Sequence, residues 1–163
     1  MATVLESVAE LKAGLAPGSR LLGLDVGAKT IGLALSDGGL LIASPLETIR
    51  RTRFAKDSAA LGAIVAEHGV GGLVIGLPVQ MDGSEGRRCQ SVRGFAANVV
   101  EALGIDAAFW DERLSTAAVE RVLVKEADLS RRRRAELVDK AAAAYIMQGA
   151  LDSLGSYRQT IRP

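Results

Sequence analysis

LLGLDVGAKTIGLALSD, residues Leu21 to Asp37, holds two apolar runs separated by a glycine-flanked turn. Leu21, Leu22 and Leu24 read as a buried strand and Ile31 to Leu35 as its partner, so GAKT is expected to close a hairpin. Asp25 interrupts the first run. A carboxylate inside a central strand is costly unless a metal, a cation or hydrogen-bond donors meet it, which makes Asp25 a candidate site residue.

Beyond the hairpin, Gly38-Gly39 supplies another turn and Leu40 to Ile49 a third strand, with Pro45 pointing to an edge position. Phe54, Leu61, Ile64 and Val65 then recur at helical spacing, which predicts a helix over 54–68 capped by Gly69. His68 falls in its last turn, as a partner for the helix dipole. GGLVIGL, 71–77, reads as a strand buried on both faces. MDGSEG follows as a turn, with Ser84 as N-cap of a helix through Val92, Phe95, Val99 and Leu103. Ile105 to Trp110 forms a further strand, and Asp111, Glu112 and Arg113 stand at its C-terminal end, where open α/β sheets place their sites. One helix starting at Ser115 or Thr116 is expected to reach about residue 125, and a last one to run from about Ser130 to Leu154. Ahead of the hairpin, Val4, Val8, Leu11 and Leu15 form an amphipathic leader that Pro17-Gly18 ends. The expected architecture is α/β: a mixed five-stranded sheet with helices on both faces, with residues 1–19 a leader helix packed on a single domain over 20–163.

Composition narrows the chemistry. Among 163 residues, 48% of them hydrophobic, there is one cysteine, Cys89, and one histidine, His68. A disulfide framework, a Cys/His zinc site and a histidine-activated nucleophile are therefore poorly supplied, and hard chemistry has to rest on carboxylates. Twenty basic residues against 19 acidic ones leave the net charge uninformative about nucleic acid. Local clusters say more. Arg50, Arg51, Arg53 and Lys56 read as a solvated face, whereas Arg87, Arg88 and Arg93, and then Arg131 to Arg134, sit beside candidate site segments and read as phosphate contacts. With so few aromatics, base stacking is not expected to dominate, and Phe109 and Trp110 read as core. Glu6 and Glu10 argue against a secretory signal, and no apolar run reaches the ~18 residues of a membrane span, so a cytoplasmic protein is expected.

Three acids come from separate elements: Asp25 on the first strand, Glu112 after the last and Asp139 in the alanine-rich C-terminal helix. Such a set suits oxygen-preferring Mg²⁺ or Mn²⁺, and two such ions hydrolyse phosphodiesters without a histidine base. Each acid also has a structural reading on its own: Asp25 bonded to the turn amides, Glu112 paired with Arg113, Asp139 paired with Arg133 or Lys140. The MDGSEG loop, with Gly83 and Ser84, serves either as a plain turn or as a phosphate cradle.

The motifs DVGAKTIGLALSD, VIGLPVQMDGSEG, DERLST and VDKAAAAYIMQGALD, in this order from about residue 20 to residue 154, resemble those of the YqgF/RuvX family. The resemblance implies a ribonuclease H-like fold and a bacterial, metal-dependent nuclease using Mg²⁺ or Mn²⁺, with Asp25, Glu112 and Asp139 as catalytic metal ligands. Members are implicated in resolving Holliday junctions and in maturing the 5′ end of the small-subunit ribosomal RNA precursor. A substrate of RNA precursor or branched DNA is thus expected, acted on by a monomer or homodimer. Contacts to it are expected from Lys29, Gly83, Ser84, Arg87, Arg113, Arg131 and Arg132. Where the family commonly has Lys-Arg, this chain has Lys29-Thr30. Two rival classes are a nucleotide phosphotransferase, since D-x-G beside a hairpin also marks actin-like phosphate loops, and a transcription-linked nucleic-acid-binding module with weak catalysis.

Overall fold

The computed structural model describes residues 1–114 and 131–161, with the side chains of the last helix described over 140–155. In chain order the elements are β1 (Val4–Leu5), α1 (Val8–Ala13), β2 (Arg20–Val26), β3 (Thr30–Ser36), β4 (Ala43–Arg50), α2 (Phe54–His68), β5 (Val70–Leu77), α3 (Arg87–Leu103), β6 (Asp106–Asp111), a 3-10 turn (Glu112–Leu114) and α4 (Arg131–Ile161). The helix expected over 115–125 lies outside the described residues.

Among the described residues six strands form one sheet in the order β1-β6-β5-β2-β3-β4. β2, β3 and β4 are an antiparallel meander, whereas β5 pairs parallel with β2, β6 with β5 and β1 with β6. The right half of this order is the expected hairpin and third strand. Its left edge is an addition: the leader contributes not only α1 but also β1, which pairs Val4 with Ala107 and Leu5 with Ala108. Thr3 fixes that register, its N–H donating to Asp106 Oδ1 at 2.8 Å while its carbonyl accepts from the Ala107 N–H at 3.2 Å. Two residues are too short a run for periodicity to reveal, so the sheet has six strands instead of five.

Two other boundaries move for local reasons. β4 begins at Ala43 rather than Leu40 because the Asp37 carboxylate accepts the N–H groups of Leu41 at 2.7 Å and Ile42 at 2.9 Å, closing the loop before pairing starts. Pro45 lies on the edge strand, as expected, opposite Ala34 and beside a register shift. α3 begins at Arg87, with Gly86 as N-cap, because the Ser84 hydroxyl is already engaged within the preceding loop. α2 spans 54–68 as its spacing predicts, and Gly69 ends it at φ 64°.

Side chains alternate across the strands and divide the core in two. Leu22, Leu24, Val26 and Ile75 face α2 and α3, where Leu61, Val92, Phe95 and Val99 cover them. Leu21, Val74 and Ala108 face α1 and α4, against Leu11, Ala143, Ile146 and Met147. By the same alternation Gly23 and Asp25 belong to the α4 face. α4 comes very close there: a Cβ built on Gly23 would lie 3.0 Å from Met147 Cβ and 3.2 Å from the Ala143 carbonyl oxygen. Phe109 and Trp110 are both half-buried, on opposite faces. The Trp110 indole packs on Gly149 of α4, and its Nε1 has no hydrogen-bond partner among the described residues.

Candidate active site

Asp25 is the sixth residue of β2, one residue before the strand ends, and pairs across the ladder with Gly32. It is half-buried while its neighbours Leu24 and Val26 are buried. Glu112 opens the 3-10 turn that follows β6. β5 lies between their strands and offers a gap at Gly76, where an added Cβ would stand 2.7 Å from Glu112 Oε1 and 2.5 Å from Ile146 Cδ1. Glu112 therefore folds over the bare backbone of β5 on the α4 face and reaches Asp25, with which it shares a hydrogen bond.

Burial pushes the Glu112 carboxyl above its ordinary range. The hydrogen bond with Asp25 and the nearby Arg88 guanidinium act in the opposite direction, and the Asp111 charge adds to the rise. Two carboxyl groups held together in a partly desolvated place share a proton or meet a cation. This pair offers only oxygen donors, which suits a hard divalent cation. Asp139 sits on α4 one helical turn before Ala143, the residue whose carbonyl approaches Gly23, and its side chain lies outside the described part.

The other residues expected at the site divide into groups. Lys29 is exposed at the tip of the β2–β3 turn, which the Gly27 N–H closes onto the Thr30 carbonyl at 2.8 Å. Gly83, at φ 89°, lies in the β5–α3 loop within reach of the Arg113 guanidinium. The Ser84 hydroxyl sits 2.6 Å from Asp82 Oδ1 and 2.9 Å from Gln80 Oε1, so it orders that loop and does not cap α3. Arg87 is exposed in the first turn of α3. Arg113 pairs with Asp111, Nη2 to Oδ2 at 2.6 Å, and this pairing holds the Asp111 carboxyl below its ordinary range. Arg113 thus takes Asp111, not Glu112, and Glu112 is left to Asp25. Arg131 and Arg132 open α4, with their side chains outside the described part.

Two basic residues take other parts than expected, and one glycine adds a part of its own. Arg88, not Arg87, is the cation that acts on Glu112; the basic cluster was visible, but its facing was not. Arg93, expected to contact phosphate, instead forms a bidentate pair with Glu85 at 2.6 and 2.8 Å and lies 5.0 Å over the Phe109 ring. Gly76 carried no signal in an apolar run, because only the Glu112 side chain laid across it shows why it is glycine.

A mixed sheet of an antiparallel meander joined to parallel strands, with one acid near the end of β2 and another just after β6, defines a protein of ribonuclease H-like fold. The same fold is found in the RuvC protein of T. thermophilus in complex with Holliday junction substrate, at a TM-score of 0.53 and 15% identity, over 85% of this chain and 97% of that one. The yeast mitochondrial Holliday junction resolvase matches at a TM-score of 0.50 and 12% identity, over 93% of this chain and 89% of that one. This chain belongs to the RuvX family, described as Holliday junction resolvase, whose profile matches residues 19–153. Among its relatives, a protein of Paramagnetospirillum magneticum named "Putative pre-16S rRNA nuclease" is 62% identical, over 91% of this chain and 96% of its own. A protein of the same name from Roseobacter denitrificans is 56% identical over 93% of each chain.

Proposed function

We propose that this protein is a divalent-metal-dependent nuclease that hydrolyses phosphodiester bonds in the 5′ extension of the small-subunit ribosomal RNA precursor. The observation that carries the reading is the hydrogen-bonded Asp25–Glu112 pair, two acids from separate strands brought together over Gly76. Asp139, one turn ahead of Ala143 in the sequence of α4, is the third acid of the proposed set. Bound by these three residues, one or two Mg²⁺ or Mn²⁺ ions would supply activation of water and neutralisation of charge on the phosphate.

The remaining residues bind and orient. Lys29 meets the strand from the hairpin turn, Arg87 and the Gly83-Ser84 loop meet it from the start of α3, and Arg131 and Arg132 from the start of α4. Arg113, tied to Asp111, shapes the rim beside Glu112. The RNA substrate follows the name borne by relatives up to 62% identical across nearly the whole chain. Cleavage of four-way junction DNA is the second reading, and the family's description favours it.

A side-by-side assay of a 5′-extended ribosomal RNA precursor and a four-way DNA junction, with Mg²⁺ or with Mn²⁺, separates them. Faster cleavage of the RNA is expected. Junction cleavage alone would replace the first reading by the second, and no cleavage of either by folded protein would refute both.

A further inference from the structure

We propose that the β4–α2 junction is a second nucleic-acid contact surface, which receives the unpaired strand as it leaves the acid pair. This inference rests on the nuclease reading above and adds where the substrate runs. Across the ladder Asp25 pairs with Gly32 and Gly32 with Thr48, so β4 ends at the same edge of the sheet as the acids, only two residues beyond Thr48. The chain then reads Arg50-Arg51-Thr52-Arg53-Phe54-Ala55-Lys56, four cations without an acid. Asp57, which follows, is buried and accepts from the Thr52 N–H and hydroxyl, so its charge is turned inward.

The four cations are not equivalent. Arg51 is engaged inside the protein: its N–H donates to the Lys29 carbonyl at 2.8 Å, Nη1 donates to the Gly27 carbonyl at 2.6 Å, and its guanidinium lies 5.3 Å over the Phe95 ring. It fixes the hairpin turn, and with it Lys29, to the junction. Arg53, the N-cap residue of α2, and Lys56, in its first turn, are exposed. Between them Phe54 is 39% exposed and braced edge-on by Phe95, with ring centroids 6.1 Å apart at 82°. An aromatic ring held firm and left open among cations is the arrangement that binds single strands, with phosphates on the cations and an unstacked base on the ring. A duplex would offer that ring no base face, and an acidic protein surface would have no use for it.

The test measures binding of one 12-nucleotide sequence as RNA and as DNA across a salt series. Every protein carries Asp25→Asn so that the strand survives. For Arg53→Ala/Lys56→Ala we expect weaker binding and a log–log salt slope shallower by about 1.4, the value for two single-strand phosphate contacts. Phe54→Ala is expected to weaken binding at least about five-fold with the slope unchanged. Phe54→Leu, which keeps the apolar contact with Phe95, guards against a folding defect and should weaken binding similarly at an unchanged melting temperature. The RNA and DNA arms show which sugar the surface prefers. Unaltered affinity and slope in all three variants, with the parent binding normally, would overturn this surface and leave the nuclease reading standing. A folded parent that binds neither strand would overturn both.

Discussion

Asp111 and Glu112 are neighbours in the chain, yet one is neutralised by Arg113 and the other turned onto Asp25. That division rests on Gly76, because Glu112 Oε1 would stand only 2.7 Å from a Cβ there. Gly76→Ala should therefore displace Glu112 and Ile146, lowering cleavage at least about ten-fold while costing about 1–3 kcal/mol of stability by overpacking. Turnover and urea unfolding of the same preparation measure both. Glu112→Gln keeps the volume and removes the charge; its fold should be retained and its cleavage reduced at least about 100-fold. Asp37 acts on stability, away from the acid pair. The Ile42 and Leu41 N–H groups hold its carboxyl below its ordinary 3.8. A depressed native value contributes stability above the unfolded pKa and loses it as pH falls through the native one. Asp37→Ala should thus unfold at lower urea than wild type at pH 7, with the gap closing below about pH 4.

At the scale of elements, the site depends on how closely α4 approaches β2. Ala143 and Met147 lie against Gly23, and since Ala143 presents its backbone carbonyl there, a methyl group can be accommodated only if the helix shifts. Gly23→Ala should destabilise the protein by about 1–3 kcal/mol and, because Asp139 rides on the same helix, lower cleavage as well. Gln148 holds the far side, its Oε1 accepting from the Ala43 N–H at 2.9 Å and its Nε2 donating to the Leu41 carbonyl at 3.0 Å. β1 is the other exposed dependency. Removing residues 1–6 uncovers the edge of β6, and the shortened protein is expected to melt several degrees lower and to self-associate, as calorimetry and light scattering would show.

Over the whole molecule, the meander, α2, β5 and α4 were legible because each obeys its own period or carries a Gly or Pro stop in the sequence. What escaped was set by tertiary pairing: β1, two residues long, is a strand only because β6 lies beside it. Asp25 was legible as an acid placed where an apolar residue belongs, and the motifs set Glu112 beside it; what DERLST does not say is which carboxylate Arg113 will take. Among the described residues no helix is long and apolar enough to cross a membrane. We propose that Asp25, Glu112 and Asp139 together hold the metal on which cleavage depends. It is tested most directly by single-turnover cleavage of the 5′-extended ribosomal RNA precursor across a Mg²⁺ titration, with wild type and Asp25→Asn purified alike. Wild type is expected to show saturable Mg²⁺-dependent cleavage that chelation abolishes and that Asp25→Asn lacks at every Mg²⁺ concentration. Full cleavage by folded Asp25→Asn, or cleavage that persists in chelator, would contradict it.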